Sequence, residues 1–267
     1  MSASFTDFWK LLDDVQDYVE GGFRRPHAEP PTSFAGRPAA HGGPEVVRDA
    51  VRPPHDPPSA GAVKPAGPRP AAARGEREEG LRRLIEEVRA CTKCALHAQR
   101  TNAVPGEGAI DPEVMVIGEG PGADEDATGR PFVGRAGQYL DKWLAAISLS
   151  RDSNAYIANI VKCRPPGNRD PLPEESYSCF PYLQRQITLV HPRTILVVGR
   201  IAAQKLVGSE AGVGKLRGSV YSYKEIPVIV TYHPSGVLRN PSLRGAVWED
   251  LKQLRVLLDG LPRGSSQ

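Results

Sequence analysis

The sequence predicts an α/β protein: a three-layer α/β/α domain around a mainly parallel, four-stranded central sheet, preceded by a disordered N-terminal extension. Three observations predict it. Four short apolar runs rich in β-branched residues, at 114–118 (VMVIG), 156–161 (YIANIV), 195–199 (ILVVG) and 228–232 (VIVTY), have the continuous hydrophobicity of strands buried on both faces. Helical patterns lie between most of them, the alternation expected of a parallel sheet with crossover helices. Finally, 12 of the 26 prolines fall between residues 22 and 75, a stretch with no sustained apolar period and hence no means of building a core.

Taken in order, residues 5–20 place Phe5, Phe8, Trp9, Leu12, Val15 and Val19 at helical spacing, with Ser4 and Asp7 forming a capping-box start. The expectation is a short amphipathic helix within 1–21, whose aromatic face folds back on the main domain or docks on a protein partner. A disordered linker over 22–80 separates it from the domain at 81–260. There, a helix at 81–90 runs into Cys91, further helices are expected at 136–147, 173–190 and 201–206, and a last one is opened by Asn240 and Pro241 and stopped by Gly260. That final helix carries Leu243, Val247, Leu251, Leu254 and Leu258 on one face, and residues 261–267 form a flexible tail. In such a sheet the functional site lies at the carboxyl ends of the strands.

Composition narrows the setting. No run approaches eighteen apolar residues, and Asp7, Lys10, Asp13 and Asp14 interrupt the N-terminal apolar positions, so neither a membrane span nor a secretory signal is expected. Residues 81–267 carry 24 basic and 19 acidic side chains, a balance compatible with a polyanionic partner and equally with an ordinary basic enzyme. Four cysteines are too few for a disulfide scaffold; a reducing cytoplasm and a monomer are the expectation.

All four cysteines lie in the main domain, as Cys91-x-x-Cys94 and then Cys163 and Cys179. A C-x-x-C turn lets two thiolates converge on one metal centre, and a second pair brought in by the fold completes four-fold sulfur ligation. Thiolate chemistry alone does not separate zinc from an iron–sulfur cluster.

The strand-end segments carry the remaining chemistry. After the first strand comes Gly118-Glu119-Gly120-Pro121-Gly122, followed by Ala123-Asp124-Glu125-Asp126; its glycines let backbone amides approach a ligand, but the spacing is GxGxG, and the acidic run disfavours a dinucleotide pyrophosphate. The 208–216 segment fails as a phosphate loop because Lys215 is followed by Leu216. The second strand ends near Asn159, whose amide can both donate and accept, as reading a pyrimidine edge requires. The fourth ends in Tyr232-His233-Pro234-Ser235, where a strand-terminal His could stabilise a developing anion.

Together the C-x-x-C, GEGPG with its acidic continuation, GRPFVGRAG, NIVKCRPPGNR, the second cysteine pair and HPS resemble the family 4 uracil-DNA glycosylases, the iron–sulfur branch of the uracil-DNA glycosylase superfamily. The resemblance spans essentially residues 91–258. It implies hydrolysis of the N-glycosidic bond of deoxyuridine in DNA, a [4Fe–4S] cluster on Cys91, Cys94, Cys163 and Cys179, and a flipped-out target nucleotide. It also implies roles: His233 for the leaving uracil anion, Asn159 for reading the base, Phe132 for stacking on it, and Gly118, Gly120 and Gly122 for the loop around it. Glu119 is the first expectation for water or sugar-cation stabilisation and Glu125 the second. Gly120 stands where the family usually has Ala. The rival readings are a zinc- or cluster-bearing nucleic-acid-binding module without catalysis, a nucleotide-dependent α/β enzyme, and a recruitment protein working through its N-terminal helix.

Overall fold

The structure, a computed structural model, describes residues 73–262. The expected helix within 1–21, most of the linker and the end of the tail lie outside the described residues.

Helix α1 (Arg74–Arg89) starts earlier than the residue 81 expected from apolar periodicity. The reason is polar: Arg77 is buried, donating to the Asp111 carboxylate at 2.7 Å and to the Leu189 carbonyl at 3.1 Å, so its turn is tied down without an apolar residue. A 3-10 turn (Ala95–Ala98) follows Cys94. Then come β1 (Glu107–Gly108), β2 (Val114–Gly118), α2 (Ala123–Thr128), α3 (Arg135–Ala146), β3 (Ala155–Asn159), α4 (Pro173–Val190), β4 (Thr194–Val198), α5 (Arg200–Val207), α6 (Val213–Leu216), β5 (Val220–Tyr223), β6 (Ile226–Thr231), α7 (Pro234–Arg239) and α8 (Arg244–Gly260).

The sheet order is β1-β3-β2-β4-β6-β5. The four runs read from the sequence are the four parallel strands, β3-β2-β4-β6, and the expectation of a four-stranded sheet is corrected to six by two antiparallel edge strands. Neither edge strand has a legible signal. β1 is two residues long and includes Gly108 at φ 135°, where a Cβ would lie 2.3 Å from the Ala155 carbonyl oxygen; β5 is only partly buried throughout.

Alternation along the strands sorts side chains onto two faces. Met115 and Ile117, Ile195 and Val197, and Val228 and Val230 join one cluster with Leu84 and Val88 of α1, Leu183 and Ile187 of α4, and Ala203 and Leu206 of α5. The intervening Val114, Val116, Leu196 and Ile229 are equally buried on the opposite face. Leu140, Trp143 and Leu144 of α3 and Leu251 and Leu254 of α8 supply buried apolar surface outside that first cluster.

The acidic segment, which is not among the expected helices, is α2. Its N-cap is Gly122, whose N–H donates to Glu125 at 3.0 Å, and its first turn holds Asp124, Glu125 and Asp126, the charge that suits a helix N-terminus. Among the described residues no helix is long and apolar enough to cross a membrane.

Candidate active site

The carboxyl ends of the four parallel strands open on one cleft of about 520 Å³. The loop from Glu119 to Gly122, Asn159 at the end of β3, Gly199 and Arg200 after β4, and His233 after β6 all line it, together with Phe132, Arg135, Asp170, Ser235 and Arg239. Pairing register explains part of the convergence: Gly118 and Asn159 are direct partners across β2 and β3.

Asn159 is 1% exposed, and its amide oxygen has no hydrogen-bond partner within the protein. A buried amide left in this state costs free energy unless a ligand completes it. Gly118 makes room beside it: a Cβ there would lie 2.6 Å from that oxygen and 2.5 Å from the Phe132 ring. Phe132 is itself buried, with φ of 51°, and its ring centroid is 5.6 Å from that of His233.

His233 caps α7. Its Nδ1 accepts the Ser235 backbone N–H at 3.2 Å, and since that N–H can only donate, the proton of the neutral ring sits on Nε2. The Ser235 hydroxyl is also 2.8 Å from Nδ1. Burial, then the charge of Arg239, lowers the His233 pKa to about 4. The ring is therefore a neutral N–H donor across the ordinary pH range.

Glu119 behaves oppositely. Burial first, and then the neighbouring Asp170 charge, raise its pKa to about 7 against the opposing effect of Arg200. Arg200 is in turn bound to Asp170 at 2.5 Å. Glu125 lines the same cleft, but its carboxylate is engaged with backbone: Oε2 accepts the Gly122 N–H at 3.0 Å, and Oε1 accepts those of Val133 at 2.8 Å and Gly134 at 2.9 Å. A Cβ at Gly120 would meet Val161 at 2.7 Å, and one at Gly122 would meet the Glu125 carboxylate at 2.8 Å, so a side chain at either position requires its neighbour to shift.

Cys91, Cys94, Cys163 and Cys179 line a second, separate cleft with Val88, Tyr182, Arg100 and Lys162. Three sulfurs already receive N–H donors: Cys91 from the Lys93 amide at 3.5 Å, Cys163 from Arg100 at 3.0 Å and Cys179 from the Lys162 amide at 3.3 Å. The fully buried Lys162 ammonium donates to the Asn159 carbonyl at 2.8 Å and to Gln186 at 2.5 Å, fixing the segment between the two clefts.

Sequence reasoning missed Asp170, Arg200, Arg135 and Arg239. Arg200 had a signal, since it follows the strand-terminal Gly199; the others reach the cleft from loops and helix ends whose position only the fold determines.

Residues 105–252 match the model of the uracil DNA glycosylase superfamily. The chain belongs to that superfamily, in its type-4 branch. It is 46% identical over 188 residues to a type-4 uracil-DNA glycosylase of Sulfurisphaera tokodaii, covering 67% of this chain and 85% of that protein. Proteins of the same description from Pyrobaculum aerophilum (45% identity, 64% of this chain and 91% of theirs) and Thermotoga maritima (44%, 67% and 95%) match similarly. The superfamily match takes in the whole cleft from Glu119 to Arg239, while Cys91 and Cys94 precede it.

Proposed function

We infer that this type-4 uracil-DNA glycosylase is a DNA repair enzyme that hydrolyses the N-glycosidic bond of deoxyuridine, releasing uracil and leaving an abasic site. The observation that carries the reading at the level of the site is the orphaned Asn159 amide oxygen in a slot bounded by Gly118 and Phe132. Uracil presents an N3–H donor beside the O4 acceptor, and one Asn amide satisfies both. The base reaches such a slot only when flipped from the stack, where a flat aromatic ring such as Phe132 replaces its neighbours.

Bond cleavage gives an oxocarbenium-like sugar and a uracil anion. The neutral His233 donates from Nε2 to the developing oxyanion, a contribution typically worth about a hundred- to a thousandfold in rate. Glu119, when ionised, orients the water or offsets the sugar cation. Glu125 serves by holding the loop around the base through its three backbone bonds. Arg135 and Arg239 place positive charge at the cleft for the DNA backbone.

The four cysteines fit a [4Fe–4S] cluster. They line one cleft, and three of the sulfurs receive N–H donors of the kind that stabilise cluster-bound thiolates. An all-thiolate donor set suits iron–sulfur as well as zinc, and the type-4 relatives favour the cluster. When bound, the cluster supplies a cross-link joining the segment after α1 to the end of β3 and to α4. Four unpaired thiols fit a reducing cytoplasm, and a monomer suffices because one chain supplies every group above. A protein partner at the helix expected within residues 1–21 remains part of the proposal.

The test is release of free uracil from a uracil-containing oligonucleotide by the full-length protein, with Asn159→Ala alongside. Excision by the parent and its loss in the variant support the reading. Tight DNA binding without uracil release would instead favour the non-catalytic binding module.

A further inference from the structure

We propose that Arg151 is a positioning residue for base recognition, acting through Phe132. The inference rests on the reading of Phe132 as the ring that stacks on the flipped base. Arg151 does not line the cleft, so any influence on the base passes through what it holds.

What it holds is the backbone of the stacking residue. Its side chain is 10% exposed, and the guanidinium donates from Nη1 to the Pro131 carbonyl at 2.9 Å and from Nη2 to the Phe132 carbonyl at 2.7 Å. The same group is paired with Glu107 at 2.8 Å and with Asp141 at 2.9 Å, and Glu107 also binds Arg130, the residue preceding Pro131. Those acids fix the orientation of the fork, and the fork fixes two successive carbonyls, a task for planar guanidinium geometry.

Phe132 requires such restraint. At φ of 51° it occupies the left-handed region that a bulky residue rarely adopts, and such conformations persist only where the surroundings over-determine them. Gly137 supplies the space, since a Cβ there would lie 1.9 Å from the Phe132 carbonyl oxygen. Glu125 grips the following amides at Val133 and Gly134 while Arg151 grips the preceding carbonyls, and between the two clamps the ring is laid over Gly118 beside His233. The platform is thereby set before any base arrives.

The experiment is a double-mutant cycle in the full-length protein, reading single-turnover uracil excision, inhibition by free uracil and thermal midpoint for the parent, Arg151→Met, Phe132→Ala and the double variant. Because displacement of a positioned group by about 1 Å can cost about a hundredfold, Arg151→Met is expected to slow excision about ten- to a hundredfold and to weaken uracil inhibition in parallel. In the Phe132→Ala background the same substitution should cost less than about threefold, while the loss of thermal midpoint is the same in both backgrounds. Equal losses of excision in both backgrounds, or parental excision by a folded Arg151→Met, overturn the inference alone. Parental excision by Phe132→Ala overturns the stacking assignment, and the inference with it. Should Arg151→Met not fold, Arg151→Lys carries the same cycle, because it keeps the charge for Glu107 and Asp141 but loses the two-carbonyl fork.

Discussion

At the scale of single residues, two of the titratable groups facing the cleft, His233 and Glu119, are pushed to opposite sides of their ordinary values by burial. His233, at about 4, is uncharged throughout the working range, and Glu119, at about 7, gains its charge within it. Excision by the parent should therefore rise as pH passes through about 7, with no limb from His233 above pH 5, and Glu119→Gln should be slower and flat over the same range in single-turnover profiles. Stability runs the other way. Folding raises the Glu119 pKa above 4.5, so its favourable contribution is complete below that pH and is lost as pH rises through about 7. Glu119→Gln should accordingly gain in urea midpoint relative to the parent more at pH 8 than at pH 5. His233→Ala should lower single-turnover cleavage about a hundred- to a thousandfold while DNA affinity changes little, since that affinity comes mostly from phosphate contacts; parental rates would remove His233 from the mechanism. Sequence spacing placed both residues at strand ends. It could not reveal the His233 tautomer, which a backbone N–H at Ser235 imposes, or the raised pKa of Glu119, which depends first on burial and then on Asp170 from a distant part of the chain.

At the scale of elements, the segment from β2 through α2 to the start of α3 is a loop system held by one carboxylate. Glu125→Gln replaces one acceptor oxygen by an amide group and so removes at least one of the three backbone bonds; the loss of a partner for a partly buried N–H costs about 1–3 kcal/mol. The expected readouts are a lower urea midpoint and faster amide exchange at Val133 and Gly134, accompanied by slower excision. Unchanged exchange at both amides would show that the clamp is dispensable. The proposed cluster gives a second expectation: Cys163→Ser should lose iron and destabilise the fold, because as a ligand Cys163 would tie the segment after β3 to the remainder of the centre. Full iron and sulfide content in that variant would contradict the assignment. The four parallel strands were legible because burial on both faces leaves an unbroken apolar run. Helix α2 was not, because its acidic first turn reads equally as a solvated loop until Gly122 and Glu125 are seen to cap it.

For the molecule as a whole, the described domain begins with α1, and its first turns are anchored by Arg77 to Asp111 and Leu189. Removing residues 1–72 should leave uracil release on a short oligonucleotide nearly intact, whereas removing 1–80 should lower the thermal midpoint, a difference that one melting series measures. The apolar period starts this helix at 81, because the turns before it are held by a polar anchor that periodicity does not register. The parallel sheet has a further consequence, which concerns time. Its cleft-lining strand ends run from Glu119 to His233, and the last strand is tied to a still later segment: Asp250 of α8 accepts from the hydroxyl of Thr231, the final residue of β6, at 2.7 Å and is paired with Arg217 at 2.9 Å. A chain emerging from the ribosome therefore owns Glu119 and Asn159 long before it owns His233 on a strand tied to α8. Non-local parallel pairings are also the slow ones to form. Synthesis halted before α8 should yield an inert fragment rather than a partly active one, which uracil excision by a chain ending at residue 243 checks.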